Sequence, residues 1–147
     1  MKPFGEFLEL GIVRKRSPDK SRARFLLEES ERSVRWVNDV VEKIGINESS
    51  KNSIIKDCYD AIMEAIRAKM LIDGYNASGA GAHEAEVSYM KILGFNEKDV
   101  NFADQLRYFR NGILYYGKTF DKEYGKEAVN FLNRIYPELM KKVNEQK

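Results

Sequence analysis

The stretch DCYDAIMEAIRAKMLIDGY, residues 57–75, has apolar side chains at intervals of three and four residues, which is the spacing of one face of an α-helix. The preceding NESS, residues 47–50, offers side chains that can cap a helix, and the helix is predicted to end at about residue 73. Its apolar residues fall on one stripe: Ile54, Cys58, Ala61, Ile62, Ala65 and Ile72. A helix with such a stripe buries it against other helices, so this stretch indicates a helical bundle.

The same periodicity extends over almost the whole chain. Further helices are predicted at residues 19–44, 83–93 and 97–117, and from near Asp121 onward. Gly45 is placed to end the first of these helices. The sequence therefore predicts an all-α, up-and-down bundle of four principal helices plus a short extra helix, in a single domain (1–147) with its core at about residues 19–140.

The spacing also defines the buried faces of two long helices. For the helix at 19–44 they are Ala23, Leu26, Leu27, Val34, Val37, Val40, Val41 and Ile44. For the last helix they are Tyr124, Ala128, Phe131, Leu132, Ile135 and Leu139. Pro137 lacks an amide hydrogen and is expected to kink or break the last helix. The segment GYNASGAGA, residues 74–82, is predicted to be a flexible linker, and no segment shows a convincing strand pattern.

Composition excludes several classes of protein. Eight Phe, eight Tyr and one Trp in 147 residues are typical of a globular chain, not a disordered one. No run of 18 or more apolar residues occurs, so no membrane span is expected; no secretory signal is recognised, so a cytoplasmic location is expected. Cys58 is the only cysteine, which excludes an internal disulfide and a thiolate zinc cluster, and it is interpreted as a small buried residue. No cofactor is expected.

Positive charge is concentrated near the N-terminus, although the net charge of the chain is only +2. The segment RKRSPDKSRAR, residues 14–24, contains one acidic residue, Asp19, and six basic ones: Arg14, Lys15, Arg16, Lys20, Arg22 and Arg24. Such a segment can attract phosphate groups by releasing their counterions. The alternative is a solvated loop followed by a helix start.

The predicted helix at 97–117 contains the unusual stretch RYFRNGILYYG, residues 107–117. Its apolar side chains form a narrow stripe: Phe102, Leu106, Phe109, Ile113 and Tyr116. Arg110 flanks this stripe, and the opposite side carries Asp104, Arg107, Asn111 and Tyr115, with Leu114 beside them. A solvent face would normally carry Lys and Glu, so this polar and aromatic group is interpreted as a contact surface. Gly112 costs a helix about 1 kcal/mol relative to Ala, which a closely approaching backbone or ligand could offset.

The segment RNGILY, residues 110–115, resembles the motif of the HEPN superfamily, small all-α domains named for their occurrence in higher eukaryotes and prokaryotes and for nucleotide binding. The family motif is an arginine, commonly followed by a polar residue such as Asn, and then a histidine four to six residues after the arginine. Tyr115 stands where that histidine is expected. The order of the helices also resembles that of the family, over about residues 19–140.

The resemblance implies a homodimer that binds a nucleotide or RNA. Active members look like metal-independent ribonucleases in which two motif helices face each other across a cleft. Carried over to this chain, the resemblance makes Arg110 the phosphate-binding candidate, Asn111 its polar neighbour and Tyr115 the candidate in place of the catalytic histidine, with Arg107 as a further binding candidate. A phenol has an ordinary pKa of about 10, so Tyr115 is a poor base near neutrality. Three alternatives follow: catalysis is slow, another residue supplies the base, or the site only binds.

His83, the only histidine, follows the glycines of GAGAH (79–83) where a helix is predicted to begin. Backbone N–H groups at such a position can bind an anion, so His83 is a further candidate for nucleotide or RNA binding. The alternative is a flexible connector with a polar residue in the first turn. One histidine beside Glu84 and Glu86, without a thiolate cluster, is a poor metal site, and no metal is expected.

Some family members are modified by a partner nucleotidyltransferase on a tyrosine two residues after the motif histidine. Gly117 occupies that position here, and Tyr116 lies one residue earlier. The broader association with a small nucleotidyltransferase, as in toxin–antitoxin pairs, stays an expectation from the family. Three functions are therefore open: a nucleotide- or RNA-binding domain, an active ribonuclease toxin that uses Tyr115, and a non-catalytic helical adaptor that binds proteins.

Overall fold

A computed structural model of the chain describes residues 1–112 and 120–145, and it confirms the predicted all-α bundle. The elements are α1 (Phe4–Glu9), β1 (Val13–Lys15), α2 (Lys20–Lys43), α3 (Lys51–Asp73), β2 (Tyr75–Ala77), α4 (Ala82–Ile92), α5 (Glu97–Arg110) and α6 (Lys122–Asn144). The four principal helices are α2, α3, α5 and α6, and α4 is the short extra one. The sequence analysis did not predict α1, which packs against α4. In the described part of the chain, no helix is long and apolar enough to cross a membrane.

The helix α3 is the centre of the bundle and packs against α2, α4, α5 and α6. Its predicted stripe is buried except at Ile72, which is half-buried, and most of its other faces are buried as well. Ala61, Ala65 and Ala68 have small side chains that let the neighbouring helices approach closely. Because α3 is surrounded on most sides, the polar residues that it does expose mark the places where the bundle opens to solvent.

The outer helices α2 and α6 turn their predicted faces toward the core, and they differ from the prediction at Pro137, Ile44 and Ser30. All six predicted residues of α6 are buried, and of the kink or break expected at Pro137 the break does not occur, because the helix continues through it. Pro137 is exposed, where solvent can satisfy the carbonyl group that loses its partner. In α2, Ile44 is exposed instead of buried because it caps the last turn. Ser30 is buried instead; its hydroxyl donates to the Ala61 carbonyl oxygen at 2.5 Å and lies 2.8 Å from the Tyr136 hydroxyl.

Two short strands correct the prediction that residues 74–82 form only a flexible linker. β2 pairs antiparallel with β1, with Val13 opposite Ala77. Gly74 makes the sharp turn between α3 and β2 at a φ of +88°, and a Cβ atom there would lie 2.8 Å from the backbone oxygen of Arg16. The Arg16 amide in turn donates to the Gly74 carbonyl at 2.8 Å. This pairing anchors the basic segment 14–24 against the end of α3.

The helix α5 ends at Arg110, so the prediction that it continues through residues 111 and 112 is wrong. Asn111 is the C-cap, and Gly112 follows with a φ of +72°. Gly112 serves a left-handed turn, and among residues 1–112 and 120–145 no atom lies within 4 Å of the position that its Cβ would take. The predicted continuation to 117 lies outside the described residues.

The buried face of α5 is also rotated from the predicted one. Val100, Ala103 and Leu106 are fully buried, whereas Phe102 and Phe109 are half-buried at the edge of the core. The two phenylalanines join an aromatic cluster with side chains of the α6 region: Phe120, Tyr124 and Phe131. This cluster attaches the last turns of α5 to the start of α6 and so places Arg110 and Asn111 at one end of the bundle.

Candidate functional site

A cleft of about 440 Å³ opens where the start of α4 and the end of α5 meet the exposed side of α3. It brings together three of the five predicted site residues, His83, Arg110 and Asn111. Ser33 of α2 closes one side. The residues come from four helices, and His83 and Arg110 are far apart in sequence, so only the fold makes them neighbours.

Arg110 is the cation of this cleft that is free to bind a ligand. Its Nε atom donates to Asp60 Oδ1 at 3.3 Å, which is a long bond, and 42% of its side chain is exposed. Exposed ion pairs of this kind stabilise a protein by only about 0–1 kcal/mol. A ligand phosphate can therefore displace Asp60 from Arg110 at little cost.

Arg67, the second cation of the cleft, is held by a buried partner. Its Nε and Nη2 atoms donate to the two oxygens of Glu86 at 2.7 and 3.0 Å, and the Glu86 side chain is only 4% exposed. The Glu86 partner raises the pKa of Arg67 further, although burial opposes the rise. Arg67 therefore has a structural role and is a poor candidate for ligand binding.

The same Glu86 orients His83. The Nδ1 atom of His83 lies 3.1 Å from Glu86 Oε1, one turn along α4, while the His83 side chain remains largely exposed to the cleft. Within the described part of the chain, no hydrogen bond engages the Nε2 atom of His83. The chain of contacts Arg67–Glu86–His83 thus holds an imidazole in the cleft that Arg110 also lines.

An acidic row on α3 forms the opposite wall of the cleft. Asp57, Asp60 and Glu64 recur at helical spacing and all line it. Burial, and then the negative charge of Asp60, raises the pKa of Asp57. Burial also raises the pKa of Glu64, against a hydrogen bond that Ser33 donates at 3.3 Å. The sequence analysis missed this row, although the spacing is visible in DCYDAIME, residues 57–64.

The other predicted site residues lie elsewhere. Arg107 donates to Asp104 Oδ1 at 2.7 Å, and its guanidinium lies 4.8 Å from the ring centroid of Tyr108. Arg107 is half-buried and is not among the residues that line the cleft. Tyr115 lies outside the described residues, as do Leu114, Tyr116 and Gly117.

Two other clefts are weaker candidates for ligand binding, because charged side chains in each are already paired. One of about 760 Å³ lies between α5 and α6, but its buried carboxylate, Asp99, is already bound by both terminal nitrogens of Arg134. Another of about 550 Å³ is lined by Lys69 and Asp73, which pair with each other at 3.0 Å.

Cys58 is no nucleophile, because burial raises the pKa of its thiol to about 12. Among the residues that the structure describes, no group of three or more His, Cys, Asp or Glu side chains could hold a metal ion.

Comparison of the chain with protein-family models, with curated proteins and with solved structures finds no match. The interpretation of the cleft rests on its geometry, together with the short motif at Arg110.

Proposed function

We propose that the chain is a HEPN-like helical domain that binds a nucleotide or RNA in the cleft, with Arg110 as the phosphate-binding residue. The observation that carries this proposal is the loosely paired Arg110, adjacent to Asn111 and facing His83 across one cleft. Hydrogen bonds to charged groups contribute about 1.5–3 kcal/mol, which exceeds the contribution of the exposed Asp60 pair. A phosphate at Arg110 therefore competes with Asp60 for the guanidinium group.

The acidic row limits what else can bind. The carboxylates of Asp57, Asp60 and Glu64 repel any phosphate in the cleft, and Arg110 is the one loosely paired cation among the described lining residues that can offset this repulsion, so a second phosphate has no partner there. They can instead accept hydrogen bonds from the amino groups of nucleobases, as Asp and Glu do from cytosine N4. A nucleotide unit, with one phosphate and one base, matches the mixed charge of the cleft better than a free polyphosphate does.

Binding of fluorescein-labelled single-stranded and structured RNA, measured by anisotropy at low and at physiological salt, tests the proposal. Arg110→Ala is expected to weaken binding roughly 10- to 100-fold, the equivalent of one charge-assisted contact. Lys126→Ala is the matched control, because Lys126 is also an exposed cation paired with a single carboxylate, Glu123, at 3.3 Å, and it lies outside both the cleft and residues 14–36. If neither RNA nor mononucleotide binds at low salt, or if Arg110→Ala binds like the wild type, the proposal is wrong.

The expected homodimer and the nucleotidyltransferase partner are proposals that rest on the family resemblance. Light scattering of the purified chain over a range of concentrations tests the dimer, and co-purification with a nucleotidyltransferase encoded beside it tests the partner. A chain that stays monomeric at the highest concentration would remove the dimer from the proposal without affecting phosphate binding by Arg110.

A second candidate function, metal-independent RNA cleavage, is favoured by one specific observation. His83, held by Glu86 in the cleft with Arg110, is the type of base that a 2′-hydroxyl attack requires, whereas Tyr115 is not. End-labelled RNA incubated with chelator tests it, with wild type, His83→Gln and Tyr115→His side by side. Loss of cleavage in His83→Gln with unchanged RNA affinity would support this function, and intact RNA with the wild type would exclude it for that substrate.

A further inference from the structure

Two large aromatic side chains on α2 are exposed, and no element of the described bundle covers them. Phe25 and Trp36 each have 60% of their surface accessible. They are 11 residues apart, which places them roughly 16 Å apart along the helix axis and within about 20° of the same direction. Each leaves most of its surface outside the core, and two large aromatic side chains on one side of the same helix offer a binding surface.

The charge around Phe25 is positive, whereas Trp36 borders the acidic row of α3. Residues 14–36 contain eight Arg or Lys and four Asp or Glu, a net charge of +4, against +2 for the whole chain. All six basic residues of the segment 14–24 are exposed. One of the acidic residues, Asp19, caps α2 by accepting from the Arg22 amide at 3.0 Å, and another, Glu29, pairs with Arg32. The surface that surrounds Phe25 is therefore suited to a polyanion.

The aromatic surface is continuous with the cleft. Ser33, three residues before Trp36 on the same helix, lines the cleft. The Trp36 side chain also interacts with Asp57 of the acidic row, and this interaction opposes the rise in the pKa of Asp57. Ser33 lies between Phe25 and Trp36 along α2, so a ligand that leaves the cleft beside Ser33 can reach either aromatic side chain and, beyond Phe25, the basic segment.

We propose that this surface, defined as Trp36, Phe25 and the basic segment 14–24, is a track for single-stranded nucleic acid that continues from the Arg110 cleft. Exposed aromatic side chains stack on bases without regard to sequence, and neighbouring cations hold the backbone, which is the usual design of single-strand binding. Since the two aromatics are separated by three helical turns, a mononucleotide cannot contact both, and an oligonucleotide can. The proposal rests on the proposed function of the cleft and adds the length and strandedness of the ligand.

Trp36 is the only tryptophan in the chain, so its fluorescence reports directly on stacking. The probes are uridine 5′-monophosphate, an oligouridylate of about twelve nucleotides, which lies within the range of single-strand site sizes, and the same oligomer annealed to its complement. The single-stranded oligomer is expected to quench Trp36 fluorescence and to bind more tightly than the duplex, whereas the mononucleotide binds without quenching.

Substitutions distinguish binding along the track from binding in the cleft. Phe25→Ala and Trp36→Ala are each expected to weaken binding of the single-stranded oligomer, measured by anisotropy, by about 5- to 100-fold and to leave mononucleotide binding unchanged. Arg110→Ala is expected to weaken both ligands. Ile44→Ala is the matched control, since Ile44 is an exposed apolar residue at the end of the same helix and lies outside the track. Because all three side chains are exposed, the variants should fold, which circular dichroism verifies.

Two outcomes would overturn the track. If Phe25→Ala and Trp36→Ala bind the oligomer like the wild type while Arg110→Ala does not, the cleft binds nucleotides and the track is wrong. If instead the two variants leave nucleic-acid binding unchanged but abolish self-association in light scattering, the aromatic surface is a protein interface, as the adaptor hypothesis predicts. Absence of binding by every ligand would refute the cleft and the track together.

Discussion

Replacing Arg67 with alanine tests whether the Arg67–Glu86 pair holds the cleft together. The substitution removes both hydrogen bonds to Glu86, at 2.7 and 3.0 Å. The carboxylate left behind is only 4% exposed and keeps His83 as its remaining neighbour. An ionised group in that position must either stay poorly solvated or force α4 to move away from α3.

The magnitude follows from burial. Breaking a buried ion pair by removing one partner costs about 3–5 kcal/mol, because the other charge is left uncompensated. The Arg67 side chain is 27% exposed, so water can enter after the substitution, and the lower end of that range applies. Arg67→Ala is therefore expected to lower the free energy of unfolding by about 3 kcal/mol, which corresponds to a melting temperature roughly 6–12 °C lower.

Urea unfolding at neutral pH, followed by circular dichroism, measures this change. The double variant Arg67→Ala/Glu86→Gln should be more stable than Arg67→Ala by at least about 1 kcal/mol, because a buried amide costs less than a buried charge. The control Arg32→Ala, which breaks an exposed pair, should change stability by less than about 1 kcal/mol. A loss below about 1 kcal/mol for Arg67→Ala, or a double variant no more stable than the single one, would refute the reasoning.

Three further substitutions test other parts of the fold by the same urea assay. Glu64→Gln is expected to stabilise the protein by about 0.5 kcal/mol at neutral pH, since it removes a carboxylate one turn from another acid. The folded-state pKa of Glu64 is raised by burial, so its ionised form costs stability above that pKa, and the gain from Gln should disappear as the pH falls toward the ordinary value of 4.5. Gly74→Ala is expected to cost about 1–3 kcal/mol, from a left-handed φ and a clash with the Arg16 oxygen, and a smaller loss would show that the turn can relax. Tyr89→Phe removes the hydrogen bond that the hydroxyl donates to Asp73 at 2.5 Å and should cost about 1.5–3 kcal/mol, whereas an unchanged stability would mean that water replaces it.

The long helices were predictable because each carries an apolar stripe, and the stripe determines which face of the helix is buried. The six residues chosen for α6 are all buried, and α3 fails only at Ile72. The strands were not predictable, because three residues are too few to show alternation and the pairing joins segments about 60 residues apart. The end of α5 was signalled by Asn111–Gly112, a common helix stop, but the apolar spacing that continues to residue 116 favoured a longer helix.

The candidate site was also predictable only in part. The motif identified Arg110 and Asn111, and position after a glycine-rich segment identified His83. Their meeting in one cleft depends on how α4 and α5 pack, which no local pattern encodes. Glu86 looked like a solvent-facing residue of a short helix, and its burial becomes evident only when Arg67 is placed beside it. A buried acid with a bidentate arginine is a tertiary feature, and sequence spacing cannot distinguish it from an exposed pair.

Arg110 in the cleft and the basic segment 14–24 differ in the number of phosphates that each can bind, and this difference constrains the length of the ligand. Arg110 is the loosely paired cation of the cleft, so a ligand confined to the cleft neutralises about one phosphate, and its affinity should fall with a log–log salt slope near −0.7. Arg32 and Arg35 flank Ser33 on α2, whereas the basic segment 14–24 begins at Arg24, nine residues from Ser33 and roughly 14 Å away along the helix axis. Only a ligand several nucleotides long can reach that segment from the cleft, and each additional phosphate contact there steepens the slope by about 0.7. The acidic row at Asp57, Asp60 and Glu64 repels a compact polyanion inside the cleft, so a steep slope indicates phosphate contacts outside the cleft, as the track along α2 predicts.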